Sequence, residues 1–119
     1  MAEIYKVLLF MKRRPGMSVE DFRDYYETTH VPLVTRGVTG IDRYVRRYIV
    51  PLTHAETGVW DDPPYDVITE LWIKDEAAFR ALTEVMATAT MPSHIIEDEE
   101  KLFDRSSFRI ATVVECDGL

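Results

Sequence analysis

A chain of 119 residues, 46% hydrophobic and 29% charged, has enough apolar material for one domain with its own core. Its formal net charge of -7 opposes docking on a phosphate backbone, which sets nucleic acid aside as a partner. Cys116 is the single cysteine, so no internal disulfide is available, and a reducing, cytoplasmic compartment is the default expectation.

No apolar run approaches the ~20 residues that span a bilayer, so no membrane partner is expected. The opening MAEIYKVLLFMKRR reads as a strand and not as a signal peptide. Glu3 precedes its apolar stretch, Lys6 interrupts it, and no small-residue cleavage site follows.

Residues 4–11 alternate with Tyr5, Val7, Leu9 and Met11 on one face, but Leu8 and Phe10 make the opposite face apolar too. Pro15-Gly16 predicts a turn. Ser18 then reads as an N-cap, with Asp21 in a weak capping box and Glu20 near the positive end of the helix dipole. Val19, Phe22, Tyr25, Tyr26 and Thr29 follow helical spacing and predict a buried stripe. Pro32 is expected to stop this helix, leaving His30 in its final turn.

A second strand is expected at residues 42–50, with Tyr44, Arg46 and Tyr48 on one face and Val45, Arg47 and Ile49 on the other. Residues 52–65, with Gly58, Pro63 and Pro64, have no periodicity and read as a loop that packs through Trp60. A third strand at 66–74 puts Asp66, Ile68, Glu70 and Trp72 on one face. Asp75 caps a helix at about 76–90, with Phe79, Leu82, Val85, Met86 and Ala89 inward, and Pro92-Ser93 breaks it. An acidic helix at about 94–103 turns Ile95, Ile96, Leu102 and Phe103 inward and is expected to leave residues 97–100 solvated. The last strand, 107–115, is apolar on both faces.

The order β-α-β, loop, β-α-(α)-β predicts an α+β fold: one ferredoxin-like β-α-β-β-α-β domain over residues 1–119 with a four-stranded antiparallel sheet. Helices cover one face. Apolar residues on the other face predict a homodimer in which two sheets meet across a barrel-like interior, since apolar patches of several hundred Å² are rare on monomers.

The segment KVLLFMKRRPGMSVEDFRDYYETTHVPLV, then GIDRYVRRYIV, then YDVITELWIKDEAAFRAL, with Phe103-Asp104 before the last strand, resembles the EthD-like branch of the dimeric α+β barrel superfamily. The resemblance implies dimerisation through the sheet and a pocket between sheet and helices. Related barrels include cofactor-independent isomerases, polyketide cyclases and dehydratases, quinone-forming monooxygenases and some haem-binding enzymes, so the fold alone leaves the activity open.

His30 is the first candidate catalyst, because an imidazole takes and returns protons near neutral pH. Its competing role is a purely structural one at a helix end; a histidine followed by a proline also recurs in the family at this place. Asp66 and Glu70 share a strand face with Trp72, where an apolar wall would raise a carboxyl pKa, against the alternative that Asp66 pairs with a neighbouring arginine. An in-facing carboxylate where Asp66 stands is also part of the family pattern. Tyr44 and Tyr48, with whichever of Arg46 and Arg47 points inward, offer donors for a developing oxyanion; Arg47 and Tyr26 are taken as further substrate contacts.

His54 and His94 lie in or beside loops, no group of ligands has metal spacing, and no Gly-rich phosphate loop occurs. Haem would need a single histidine, but no second basic patch offers itself to the propionates. Cys116 has nothing nearby to activate it. Together with the family resemblance, these residues lead to the expectation of a cofactor-free enzyme that moves protons in a small aromatic, lactone or polyketide-like molecule by isomerisation, cyclisation or dehydration, with His30 and Asp66 as the catalytic pair. Two alternatives stand beside it: a cofactor-free monooxygenase that makes quinones from phenols, and a non-catalytic carrier of hydrophobic ligands or accessory to an oxidase.

Overall fold

The computed structural model describes residues 5–118; Ile4 of the expected first strand lies outside the described residues. Four strands, β1 (Lys6–Arg13), β2 (Ile41–Tyr48), β3 (Val67–Ile73) and β4 (Phe103–Thr112), form one sheet in the order β2-β3-β1-β4, antiparallel at every pairing. This is the ferredoxin-like arrangement expected. β1 and β3 are its interior strands, which is why both of their faces are largely apolar. No helix among the described residues is long and apolar enough to cross a membrane.

Register sorts the side chains by face. Val7, Leu9 and Met11 stand beside Leu71, Thr69 and Val67 toward the helices, and all are buried. Tyr44, Arg46 and Tyr48 of β2 pair with these same β3 residues, so they share the helix-side face. Leu8, Phe10, Val45, Ile68 and Trp72 face the other way and are half-buried.

The first helix starts as its cap predicts. α1 (Val19–Tyr25) opens with the Ser18 hydroxyl accepting from the Asp21 N–H at 3.0 Å, a bond worth about 1 kcal/mol. The helix does not stop at Pro32, contrary to the sequence expectation. Tyr26–His30 forms one π-helical turn, closed by the Val31 N–H on the Tyr26 carbonyl, and α2 (Val31–Gly37) carries on from it. A proline inside a regular helix loses a hydrogen bond and collides with the carbonyl four residues back. Here the wide turn absorbs that conflict, and Pro32 sits in the first turn of α2, where its missing N–H costs nothing. Phe22 and Tyr26 are buried as expected, whereas Val19 and Thr29 of the predicted stripe are exposed.

α3 (Glu76–Ala87) begins where Asp75 accepts from the Ala78 N–H at 2.8 Å. α4 (Ser93–Leu102) runs directly into β4. The expected solvation of residues 97–100 holds for Glu97 and Glu100 only. Asp98 and Glu99 are buried, because they fall at helical spacing between Ile95 and Leu102, on the face α4 presents to the protein.

β4 starts earlier and ends sooner than expected, and its pairing with β1 is broken. Phe10 lies opposite Arg109 and Lys12 opposite Asp104, so residues 105–108 have only Met11 across from them. Such bulges re-aim side chains; this one turns Arg105 and Phe108 toward the space under the helices.

Candidate active site

Between the helix-side face of the sheet and α2, α3 and α4 lies a cavity of about 160 Å³. Leu9, Met11, Leu71 and Ile110 form its sheet side, and Val34, Met86, Ile95 and Ile96 close it from the helices, with Met91 from the α3–α4 connection. Its polar inventory is short: His30, Glu99, Arg105, Tyr26 and Tyr44. A few convergent polar groups in an apolar hollow is the usual make-up of a small-molecule site.

His30 is buried, and its orientation is over-determined. Nδ1 lies 2.8 Å from Asp98 Oδ2, and the ring stands edge-on to Tyr26 and Phe103 at 5.4 Å and 5.6 Å. The second oxygen of Asp98 accepts from the Tyr25 hydroxyl at 2.5 Å. A carboxylate only accepts, so the imidazole proton belongs on Nδ1 and the lone pair on Nε2. Among the described residues nothing bonds Nε2, and no buried polar side-chain atom lacks a partner; Nε2 is therefore open to the cavity that His30 lines. Burial pushes the His30 pKa down, partly opposed by Asp98, so the ring is a neutral base at pH 7. Burial, helped by Asp98, raises Tyr25 to about 12, which keeps it a donor.

Glu99 is the second titratable group at this cavity. Its carboxyl is buried, and Arg105 Nε from the β4 bulge approaches one of its oxygens at 3.4 Å. Burial raises its pKa to about 7, with Asp98 adding to the rise and Arg105 opposing it. At neutral pH much of it holds its proton.

The tyrosines form a buried chain. Tyr26 OH lies 2.7 Å from Thr69 Oγ1 and 3.1 Å from Tyr44 OH. Burial above all raises Tyr26 to about 12 and Tyr44 well above its ordinary value, so both stay neutral hydrogen-bonding groups. Tyr48 is not in the cavity lining: its hydroxyl donates to Glu27 Oε2 at 2.5 Å, and Glu27 is held low chiefly by its hydrogen bonds from Arg46. Arg46 is thus the arginine on the helix-side face, and it is tied to Glu27, while Arg47 is exposed on the outer face.

The structure separates His30 from the carboxylates expected beside it. Asp66 receives the Arg13 guanidinium at 2.6 Å and the Arg13 N–H at 2.8 Å, with Lys12 at 3.5 Å. It is a structural anchor that ties the start of β3 to the end of β1, away from the cavity. Glu70 accepts from Trp72 Nε1 at 2.8 Å and lies near Lys6 and Arg47, and these contacts, led by the indole bond, hold its pKa low. So Asp66, Glu70, Trp72 and Arg47 do not line the cavity, whereas His30, Tyr26 and Tyr44 do. Asp98 and Glu99 were missed because an acidic run on a short helix reads as a wet face; their positions three and four residues after Ile95 were the available signal. Among the described residues no group of His, Cys, Asp and Glu could hold a metal ion.

The EthD domain family matches residues 14–106, most of the chain, including His30, Asp98, Glu99, Arg105, Tyr26 and Tyr44. The chain belongs to the EthD family. In the solved structures, an ethyl tert-butyl ether D (EthD) family protein from Bacillus halodurans superimposes with a TM-score of 0.56 at 20% identity, over 94% of this chain and 100% of that one. At that identity the likeness speaks for the EthD fold and leaves the chemistry to the residues. Among curated proteins, none matches this sequence.

Proposed function

We propose that this EthD protein is a cofactor-independent enzyme that moves protons in a small, largely apolar carbonyl or phenolic molecule, by isomerisation, cyclisation or dehydration. One observation carries the reading: a buried, neutral imidazole is held by Asp98 through Nδ1 and turns its free Nε2 to an apolar cavity. A histidine kept only for packing would not need a carboxylate that is itself fixed by Tyr25. A base in this state takes a proton from a carbon made acidic by a neighbouring carbonyl, and Asp98 stabilises the imidazolium that results. Tyr44, neutral and at the same cavity, is a donor for the enolate oxygen.

The volume limits the substrate. A cavity of ~150 Å³ accommodates benzene, so 160 Å³ suits one ring and its immediate substituents. We propose further that the protein works as a homodimer through its outer sheet face, where Leu8, Phe10, Ile68 and Trp72 supply apolar surface. A sedimentation mass near 13.8 kDa at micromolar concentration would count against the dimer.

The test of the chemistry is exchange of the carbonyl-adjacent protons of benzylacetone in heavy water, followed by NMR. The expected result is exchange above the buffer rate that is lost in His30→Gln. Wild-type protein that exchanges no faster than buffer would sink the reading and favour a ligand carrier. Oxygen uptake with a simple phenol, lost under anaerobic conditions, would favour the monooxygenase.

A further inference from the structure

We propose that Glu99 is the acid of the cavity in which His30 is the base, and that the pair serves a substrate that loses water, a β-hydroxy carbonyl compound of about one ring. The inference rests on the proton-transfer reading above and adds to it a second catalytic residue and a reaction class.

Three placements converge on it. Glu99 lines the same cavity as His30, from α4, while His30 enters from the π turn. Its neighbour Asp98 is committed to His30 and Tyr25, so Glu99 is the carboxyl at this end left for a ligand. Arg105 reaches it only because the β4 bulge sets four residues against one on β1.

The contact at 3.4 Å is loose for an ion pair and leaves the carboxyl able to hold a proton or release it. An arginine beside a buried acid stabilises the carboxylate that appears once the proton has gone. A lone base suffices to shift a proton between carbons. A base and a separate acid suit elimination, in which one proton leaves carbon while another arrives on the departing oxygen.

The step balances without a cofactor. His30 Nε2 takes the proton from the carbon next to the carbonyl. The electron pair of that C–H bond forms the new C=C bond, the C–O bond to the hydroxyl breaks, and its oxygen takes the Glu99 proton and departs as water. His30 ends as imidazolium and Glu99 as carboxylate, and water carries the proton from one to the other before the next turnover.

The environments of the two groups agree with these roles. His30 is lowered and neutral, and Glu99 is raised to about 7. Around them stand Asp98 and Tyr25 at His30, and Arg105 and Asp98 at Glu99, with Tyr26 and Tyr44 as neutral donors. Opposed shifts of this kind mark acid and base partners. Activity should then need His30 unprotonated and Glu99 protonated, which gives a bell-shaped profile whose alkaline limb falls near 7.

The experiment compares two reactions on the same protein. Dehydration of the β-hydroxy ketone made from acetone and benzaldehyde is followed by the absorbance of the conjugated product, and exchange of benzylacetone protons reports the base alone. The expected result is that Glu99→Gln slows dehydration by about 10²-fold and exchange by less than about tenfold, whereas His30→Gln abolishes both. Wild-type protein that exchanges but does not dehydrate, or a Glu99→Gln protein in which both rates fall alike or neither falls, would overturn the inference and leave the base reading intact. Loss of exchange in the wild type would remove both. Arg105→Gln gives a reading that does not depend on how well Glu99→Gln folds: it should move the alkaline limb to higher pH, and an unmoved limb counts against Glu99 as its origin.

Discussion

The two faces of the sheet carry the same types of residue and make opposite use of them. Away from the cavity Asp66 and Glu70 meet arginine, lysine and an indole N–H, and Glu70 is held low by these partners. On the helix face Asp98 meets an imidazole and a phenol, and Glu99 meets one arginine at 3.4 Å in a buried setting that raises it to about 7. A carboxylate with ample positive partners is a fixed charge that anchors strands. One with few, in apolar surroundings, keeps its proton within reach of pH 7 and becomes a reagent.

The sharpest way to break this contrast is to remove the base. His30→Gln should lower the exchange rate of benzylacetone by about 10³-fold, measured by NMR in heavy water, with the fold retained by circular dichroism. In the wild type that rate should rise with pH below 6.5 and level off above it, because burial lowers His30 from that ordinary value and only the neutral ring accepts a proton.

Next in size is Asp98→Asn. An amide neither fixes the proton on Nδ1 nor stabilises the imidazolium, so the same rate should drop by about 10²-fold. Asp98 also raises His30 against the effect of burial. The midpoint of the surviving activity should therefore move to lower pH; a midpoint that moved upward would contradict the assignment.

Stability should separate Glu99 from Glu70 by its sign, because one is raised and the other lowered. Its folded pKa of about 7 stands above its ordinary 4.5, so the folded state binds more protons between those values. Glu99 therefore stabilises fully below about 4.5, and that contribution is lost as pH rises through about 7. Urea unfolding of Glu99→Gln should show a gain over wild type at pH 8 relative to pH 5, of the order of 1–3 kcal/mol.

Smaller effects belong to the carboxylates away from the cavity. Asp66→Asn should leave the exchange rate within about twofold and lower stability by roughly 1–3 kcal/mol, since it leaves Arg13 short of its buried partner. Glu70→Gln should cost about 1 kcal/mol or less, with exchange unchanged. Loss of exchange in Asp66→Asn would restore the pairing with His30 that the residue order suggested.

Much of the architecture could be read from the chain alone. Ser18 and Asp75 announce their helices because capping depends on residues three apart, and both caps form. Of the strands apolar on both faces, β1 and β3 are interior strands while β4 is an edge, and His30 lines the cavity under the helices. What could not be read is where local rules meet their surroundings. Pro32 stops a regular helix, yet a π turn before it lets the chain continue as α2.

The partners of His30 show the limit most plainly. Asp66 and Asp98 are equally acidic in the sequence, and alternation grouped Asp66 with Glu70 without saying which face the helices cover. Asp98 is 68 residues from His30 along the chain, and only the docking of α4 brings the two to 2.8 Å. Residue type and spacing determined the order of the elements and the sheet plan. The tertiary structure decided which of the buried carboxylates would meet ample positive charge, and that supply divides the fixed charge of Asp66 from the carboxyl of Glu99, which keeps its proton near pH 7.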